Sequence, residues 1–123
     1  MALKHQGLTE QIIGAAITVH KNLGPGFIES IYENALVHEL KKRGLGVDQQ
    51  MDISVVYDGI EVGKHRLDLL VNKTIVVELK AIKEFENIHF AVVRSYLKAL
   101  NLEHGLLINF GKIKVDVKRV ITK

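Results

Sequence analysis

The chain of 123 residues contains no cysteine, no tryptophan and a single proline. Without cysteine there can be no disulfide, no thiol nucleophile and no thiolate-bound zinc. The six histidines show no H-E-x-x-H or other paired zinc spacing, so each reads as a surface or packing histidine. Long apolar runs are also missing. Charged or polar residues interrupt every hydrophobic stretch well before the roughly 20 residues that cross a bilayer. Residues 1–10 carry Lys4, His5, Gln6 and Glu10 and lack the apolar segment of a secretory signal; the expectation is a cytoplasmic protein with no membrane association. Gly24-Pro25-Gly26 precedes a helix start but has neither the lysine nor the length of a P-loop, so it reads as a turn. Repeats, linkers and low-complexity segments are absent, and no Ser/His/Asp set can be picked out.

Apolar residues make up 47% of the chain and charged residues 25%, the balance of a globular protein. The length suits one domain over residues 1–123 with a core of useful size. A net charge of +3 and an isoelectric point near 9.2 lean toward a polyanionic partner, though weakly unless the charges cluster. Lys41, Lys42 and Arg43 do cluster, but at a helix end, where the macrodipole already favours cations.

The periodicity predicts a helix with Thr9 as N-cap and Ile12, Ala16, Val19 and Leu23 on one face, ended by Gly24-Pro25-Gly26. A second helix is expected from residue 27 or 28 to 43, stopped by Gly44. Strands are expected over 53–57 and 60–71, joined at Asp58-Gly59, a strong two-residue hairpin signal. A third strand over 74–82, a helix over 88–102 and a doubly covered, near-central strand over 106–110 follow. In the tail, Ile113, Val115 and Val117 alternate with Lys112, Lys114, Asp116 and Lys118, which reads as an edge strand guarded by lysines. The order α-α-β-β-β-α-β-β gives an α/β fold with a mixed central sheet flanked by helices.

Charge on the third strand is the feature that points to chemistry. Alternation places Glu78 and Lys80 on one face and Val77, Leu79 and Ala81 on the other. Asp68 stands ten positions before Glu78 on the preceding strand. A two-residue turn at Asn72-Lys73 would set Asp68 opposite Val77 and away from Glu78, whereas an odd-numbered loop or a bulge brings Asp68, Glu78 and Lys80 together. An odd loop or a bulge is therefore predicted. Two acids and a lysine so placed form a constellation for a metal ion and water; an ordinary amphipathic hairpin with one wet face is the competing reading. Glu29, in line with Tyr32 and Leu36, is open to two readings as well: an inward-facing carboxylate or a solvated first-turn acid that favours the helix dipole.

Gly26-Phe27-Ile28-Glu29-Ser30-Ile31-Tyr32 is a G-x-x-E-x-x-Y sequence. Together with residues 19–25, the strand pair bearing Asp68 and Glu78-Leu79-Lys80, and residues 105–111, it closely resembles the GxxExxY family, which is placed in the PD-(D/E)XK nuclease superfamily. The resemblance covers nearly the whole chain. It implies a restriction-endonuclease-like core, with Glu29 as the acid of the first core helix, Asp68 as the strand aspartate and Glu78 with Lys80 as the E-x-K element, an arrangement similar to that of the archaeal Holliday-junction resolvases. It also implies a Mg2+- or Mn2+-dependent nuclease acting on DNA, a hydrolase of phosphodiester bonds. Asp68, Glu78 and the Leu79 carbonyl would hold the ion, Glu29 would join them directly or through water, and Lys80 would orient the attacking water, act as its base or stabilise the phosphate. Tyr32 and Tyr96 would support the site; Lys64, His65 and Arg66, near its entrance, read either as phosphate contacts or as a solvated strand end. A homodimer follows only by analogy with the resolvases.

One position departs from the pattern. Val92 stands where relatives usually carry the glutamine of a Q-x3-Y element that ends at Tyr96, and valine cannot hydrogen-bond water or phosphate. The alternative to a nuclease is thus a catalytically inactive module of the same fold that binds nucleic acid or a protein partner.

Overall fold

A computed structural model describes residues 5–122; residues 1–4 and 123 of the expected domain lie outside the described residues. Helices α1 (Gln6–Leu23) and α2 (Glu29–Lys42) are followed by strands β1 (Val47–Tyr57), β2 (Ile60–Val71) and β3 (Ile75–Lys80), helix α3 (Asn87–Leu100), and strands β4 (His104–Asn109) and β5 (Asp116–Ile121). The five strands form one sheet in chain order. Pairing is antiparallel except between β3 and β4, which run parallel because α3 carries the chain back across the sheet. The element order and the mixed α/β sheet agree with the expectation from periodicity.

Each face of the sheet has its own core. Ile75, Val77 and Leu79 of β3 pack with Ile12, Ala16, Tyr32, Leu36 and Leu40 of α1 and α2. Val76 packs with Val93, Tyr96 and Leu97 of α3. The alternation read from the sequence is therefore real: Leu79 and Ala81 lie against the first core, and Glu78 and Lys80 belong to the other side. β4 is buried along nearly its whole length, as its continuous apolar run predicts.

Element starts differ where polar contacts override local signals. Thr9 is not an N-cap. It lies inside α1 with its hydroxyl bonded back to the Gln6 carbonyl at 3.0 Å, and it accepts a 2.7 Å bond from Arg119 of β5. The helix begins a turn earlier because Leu8 also packs on the core. β1 starts at Val47 rather than 53, since its ladder with β2 continues through Asp48 and Gln49 although these break the apolar pattern. β5 starts only at Asp116; residues 111–114 form bends, so the lysine alternation begins before the strand does. Here Gly111 passes so close to the segment that follows β3 that a Cβ would sit 2.5 Å from the backbone N and O of Ile82.

The turn that sets the β2–β3 register has three residues, Asn72, Lys73 and Thr74. Asn72 and Lys73 adopt left-handed conformations, φ 50 and 54. The Asn72 side chain accepts a 2.7 Å bond from the Gly46 amide and Lys73 pairs with Asp48 at 2.7 Å, so β1 pins the turn. The observed pairs Val71 with Ile75, Leu70 with Val76 and Leu69 with Val77 extrapolate to Asp68 opposite Glu78. This is the odd loop that the sequence argument required.

Candidate metal and nucleic-acid site

The β2–β3 ladder ends at Leu69 and Val77, and carboxylates take over the backbone pairing where it stops. The Asp68 amide donates to Glu78 Oε1 at 2.8 Å, and the Leu79 amide donates to Asp68 Oδ2 at 2.9 Å. Each acid thus holds the main chain of the other's strand, which fixes both side chains in the fork between β2 and β3. Glu78 is buried, with 5% of its surface exposed, and Asp68 is half-buried.

Two like charges in a dry fork raise each other's pKa. Burial, and then the neighbouring Asp68 charge, push the Glu78 carboxyl up to about 8. Burial likewise raises Asp68; the Leu79 amide opposes this, while the charges of Glu33 and Glu29 add to it. Lys80 is half-buried and its ammonium partly offsets both shifts. The Tyr96 hydroxyl donates to the Arg66 carbonyl at 2.8 Å, and its pKa is raised by burial and by the adjacent Glu78 and Asp68 charges. Below the fork, buried Asn109 fastens the end of β3: its Oδ1 accepts from Ile82 N at 3.0 Å and Gly111 N at 2.9 Å, and its Nδ2 donates to Ile82 O at 2.8 Å.

The helical acid linked to this site by hydrogen bonds is Glu33, through Gln50. Glu29 opens α2 and is exposed, reaching the pair through its field. One turn on, Glu33 is buried and receives the side-chain amides of Gln49 at 2.6 Å and Gln50 at 2.8 and 2.9 Å. The same Gln50 Nε2 lies 3.4 Å from Asp68 Oδ1. Sequence reasoning did not select Glu33, Gln49 or Gln50. The available signal was the i, i+4 relation of Glu29 and Glu33, which puts both acids on one helix face.

The remaining candidates scatter. The Tyr32 hydroxyl donates to the Gly24 carbonyl at 2.6 Å and accepts from the Phe27 amide at 3.2 Å, and its ring stacks on Phe110 at 4.7 Å; it locks the turn that leads into Glu29. On β2, Arg66 pairs with Asp52 at 3.0 Å, the His65 ring lies 4.6 Å from that of Tyr96, and Lys64 is exposed. Val92 packs against the core beneath α3.

The donor set fits a hard divalent cation. Asp68 and Glu78 each commit one oxygen to an amide and keep a second, and an ion such as Mg2+ binds through one or two carboxylates while retaining several waters. Among the described residues, no three His, Asp or Glu side chains are arranged to hold an ion together. Asp68 and Glu78 are the acids that meet in the fork, and Glu29 acts on both through its field.

A family model for the PD-(D/E)XK nuclease superfamily matches residues 6–120. The chain belongs to that superfamily. Nucleases of this superfamily generally use divalent metals. The fold is similar to that in the crystal structure of SSO0001, with a TM-score of 0.60 at 17% identity over 96% of this PD-(D/E)XK chain. The chain spans 59% of that protein's chain. No curated protein matches significantly. Among the described residues, no helix is long and apolar enough to cross a membrane.

Proposed function

We propose that this PD-(D/E)XK protein is a Mg2+- or Mn2+-dependent phosphodiesterase that cleaves DNA in the cytoplasm, and that it belongs with the GxxExxY proteins its motif resembles. The interlocked Asp68 and Glu78 carboxylates carry the reading. A purely structural pair would have little reason to place two carboxyl groups side by side in a buried fork, because the desolvation and repulsion that raise both pKa values make their ionisation work against the fold. A bound divalent ion would supply the compensating charge, acidify water and neutralise charge developing on the phosphate.

The protein's own groups have separable tasks. Asp68 and Glu78 hold the ion, with the Leu79 carbonyl, next after Glu78 on β3, as a further hard oxygen. Glu29 adds negative potential from the helix start. Lys80 shares the Glu78 side of β3 and makes no side-chain hydrogen bond or ion pair with another described residue, so its ammonium is available to a phosphate oxygen or to the attacking water. Lys64 and Arg66, with His65 between them on β2, offer phosphate contacts to the nucleic-acid backbone.

Val92 favours a second reading, in which the fold binds nucleic acid or a protein partner without cleaving it. Here α3 presents a packed valine, which can neither donate nor accept a hydrogen bond. Incubation with single-stranded, duplex and branched DNA and with RNA, in Mn2+, Mg2+ or chelator, separates the two. The nuclease reading expects metal-dependent cleavage that Asp68→Ala and Lys80→Ala abolish. Equal cleavage by wild type and both variants would reveal a contaminant and refute it; binding without cleavage supports the second reading.

A further inference from the structure

Gln50 breaks the rules of the strand that contains it. In a regular strand, neighbouring side chains point to opposite faces, yet Gln49 and Gln50 both donate to the same carboxylate, Glu33 of α2. The break is visible in the backbone: Gln50 has φ 54, a left-handed conformation uncommon for a residue with a long side chain. Pairing with β2 runs Gln49 with Leu69 and Met51 with Leu67, so Gln50 stands at the level of Asp68, where the sheet forks.

The orientation of its amide follows from chemistry. Carboxylate oxygens accept hydrogen bonds and the amide nitrogen donates them, so the nitrogen of Gln50 faces Glu33. That nitrogen has two hydrogens. One is shared between the Glu33 oxygens at 2.8 and 2.9 Å, and Asp68 Oδ1 lies 3.4 Å from the same atom. The amide oxygen accepts no hydrogen bond from another described residue.

We propose that Gln50 is a positioning residue of the cation site: α2, through Glu33, anchors its amide so that it orients the second oxygen of Asp68 and presents its own oxygen to water beside that carboxylate. The left-handed backbone is the means by which β1 delivers the side chain there. A left-handed backbone retained within a strand, φ 54 at Gln50, is a pattern expected where geometry is held for function. The inference rests on the nuclease reading, since it gives Asp68 an ion to hold.

The experiment pairs two readouts on the full chain. Mn2+ affinity is measured by calorimetry, and metal-free stability by denaturant titration, for wild type, Gln50→Gly and Gln50→Asn. Glycine tolerates the left-handed backbone without strain, and asparagine tolerates it while falling one methylene short of Glu33. Loss of an outer partner of a metal ligand weakens binding by about 10- to 100-fold. The expected result is weaker Mn2+ binding in that range for both variants, with the denaturation midpoint of the glycine variant equal to or above that of wild type. Wild-type affinity in either variant would overturn the inference and leave the nuclease reading intact. A lower midpoint for Gln50→Gly would overturn it as well, by showing the amide to be a fold contact. Failure of wild type itself to bind Mn2+ would overturn both.

Discussion

Replacing Glu78 with glutamine should stabilise the metal-free protein while destroying its cation site. In the fold the Glu78 carboxyl titrates at about 8, against an ordinary value of 4.5. Between those values the folded chain keeps a proton that the unfolded chain has released, so stability falls as pH rises through the window. At about 1.36 kcal/mol per pH unit, the loss reaches about 3 kcal/mol at pH 7 and about 5 kcal/mol above pH 8, relative to a side chain that never ionises. Glutamine keeps an oxygen to accept the Asp68 amide, and its nitrogen can donate to the Asp68 carboxylate, so no buried group is stranded. In chelator at pH 7, Glu78→Gln should exceed wild type by about 1–3 kcal/mol, a gain of several degrees in Tm for a domain of this size. The gain should shrink toward zero near pH 4.5. Millimolar Mg2+ should stabilise wild type and leave the variant unmoved. Urea or thermal denaturation of both proteins from pH 4.5 to 9 tests this. A difference that does not vary with pH, or a wild type whose stability rises from pH 5 to 8 relative to the variant, would refute the account of the fork as a charge-strained pair.

Three further outcomes follow from named contacts. Lys80→Ala should lower cleavage by about 100-fold or more, the usual scale for a group acting on a reacting proton or phosphate, with the denaturation midpoint little changed; full activity would remove lysine from the chemistry. Gly111→Ala should destabilise by about 2 kcal/mol or more, because its Cβ would meet Ile82 backbone atoms at 2.5 Å and the chain must move to admit it; chemical denaturation reads this directly. Asn109→Ala should cost about 1–2 kcal/mol, since it removes the buried side chain that bonds the half-buried Ile82 amide and carbonyl and the Gly111 amide, and hydrogen exchange should rise first at the end of β3.

How much of this was legible depended on how local the controlling interaction is. The Asp58-Gly59 hairpin was readable because both residues adopt positive φ, 54 and 74, and the dipeptide itself favours that turn. The meeting of Asp68 and Glu78 was readable too, as a parity argument: strand alternation has period two, so a loop of odd length settles the face. Thr9 misled because a threonine near a helix start can bond backwards to a carbonyl as readily as forwards to an amide, and packing of Leu8 decided between them. β1 was read six residues short because Asp48, Gln49 and Gln50 carry polar groups for partners that lie elsewhere in the chain.

By itself the sequence determined the order of the elements, the mixed sheet, and the pairing of an aspartate with an E-x-K strand, since periodicity and turn chemistry act over a few residues. Only the tertiary structure decided which helical acid is linked to the pair, Glu33 through Gln50. Glu29 and Glu33 share a helix face, and the turn that meets the fork is set by how α2 packs on the sheet. The Gln50 bridge had no sequence signal at all, because it arises from one left-handed backbone angle and from two segments, 17 residues apart in the chain, brought together in space.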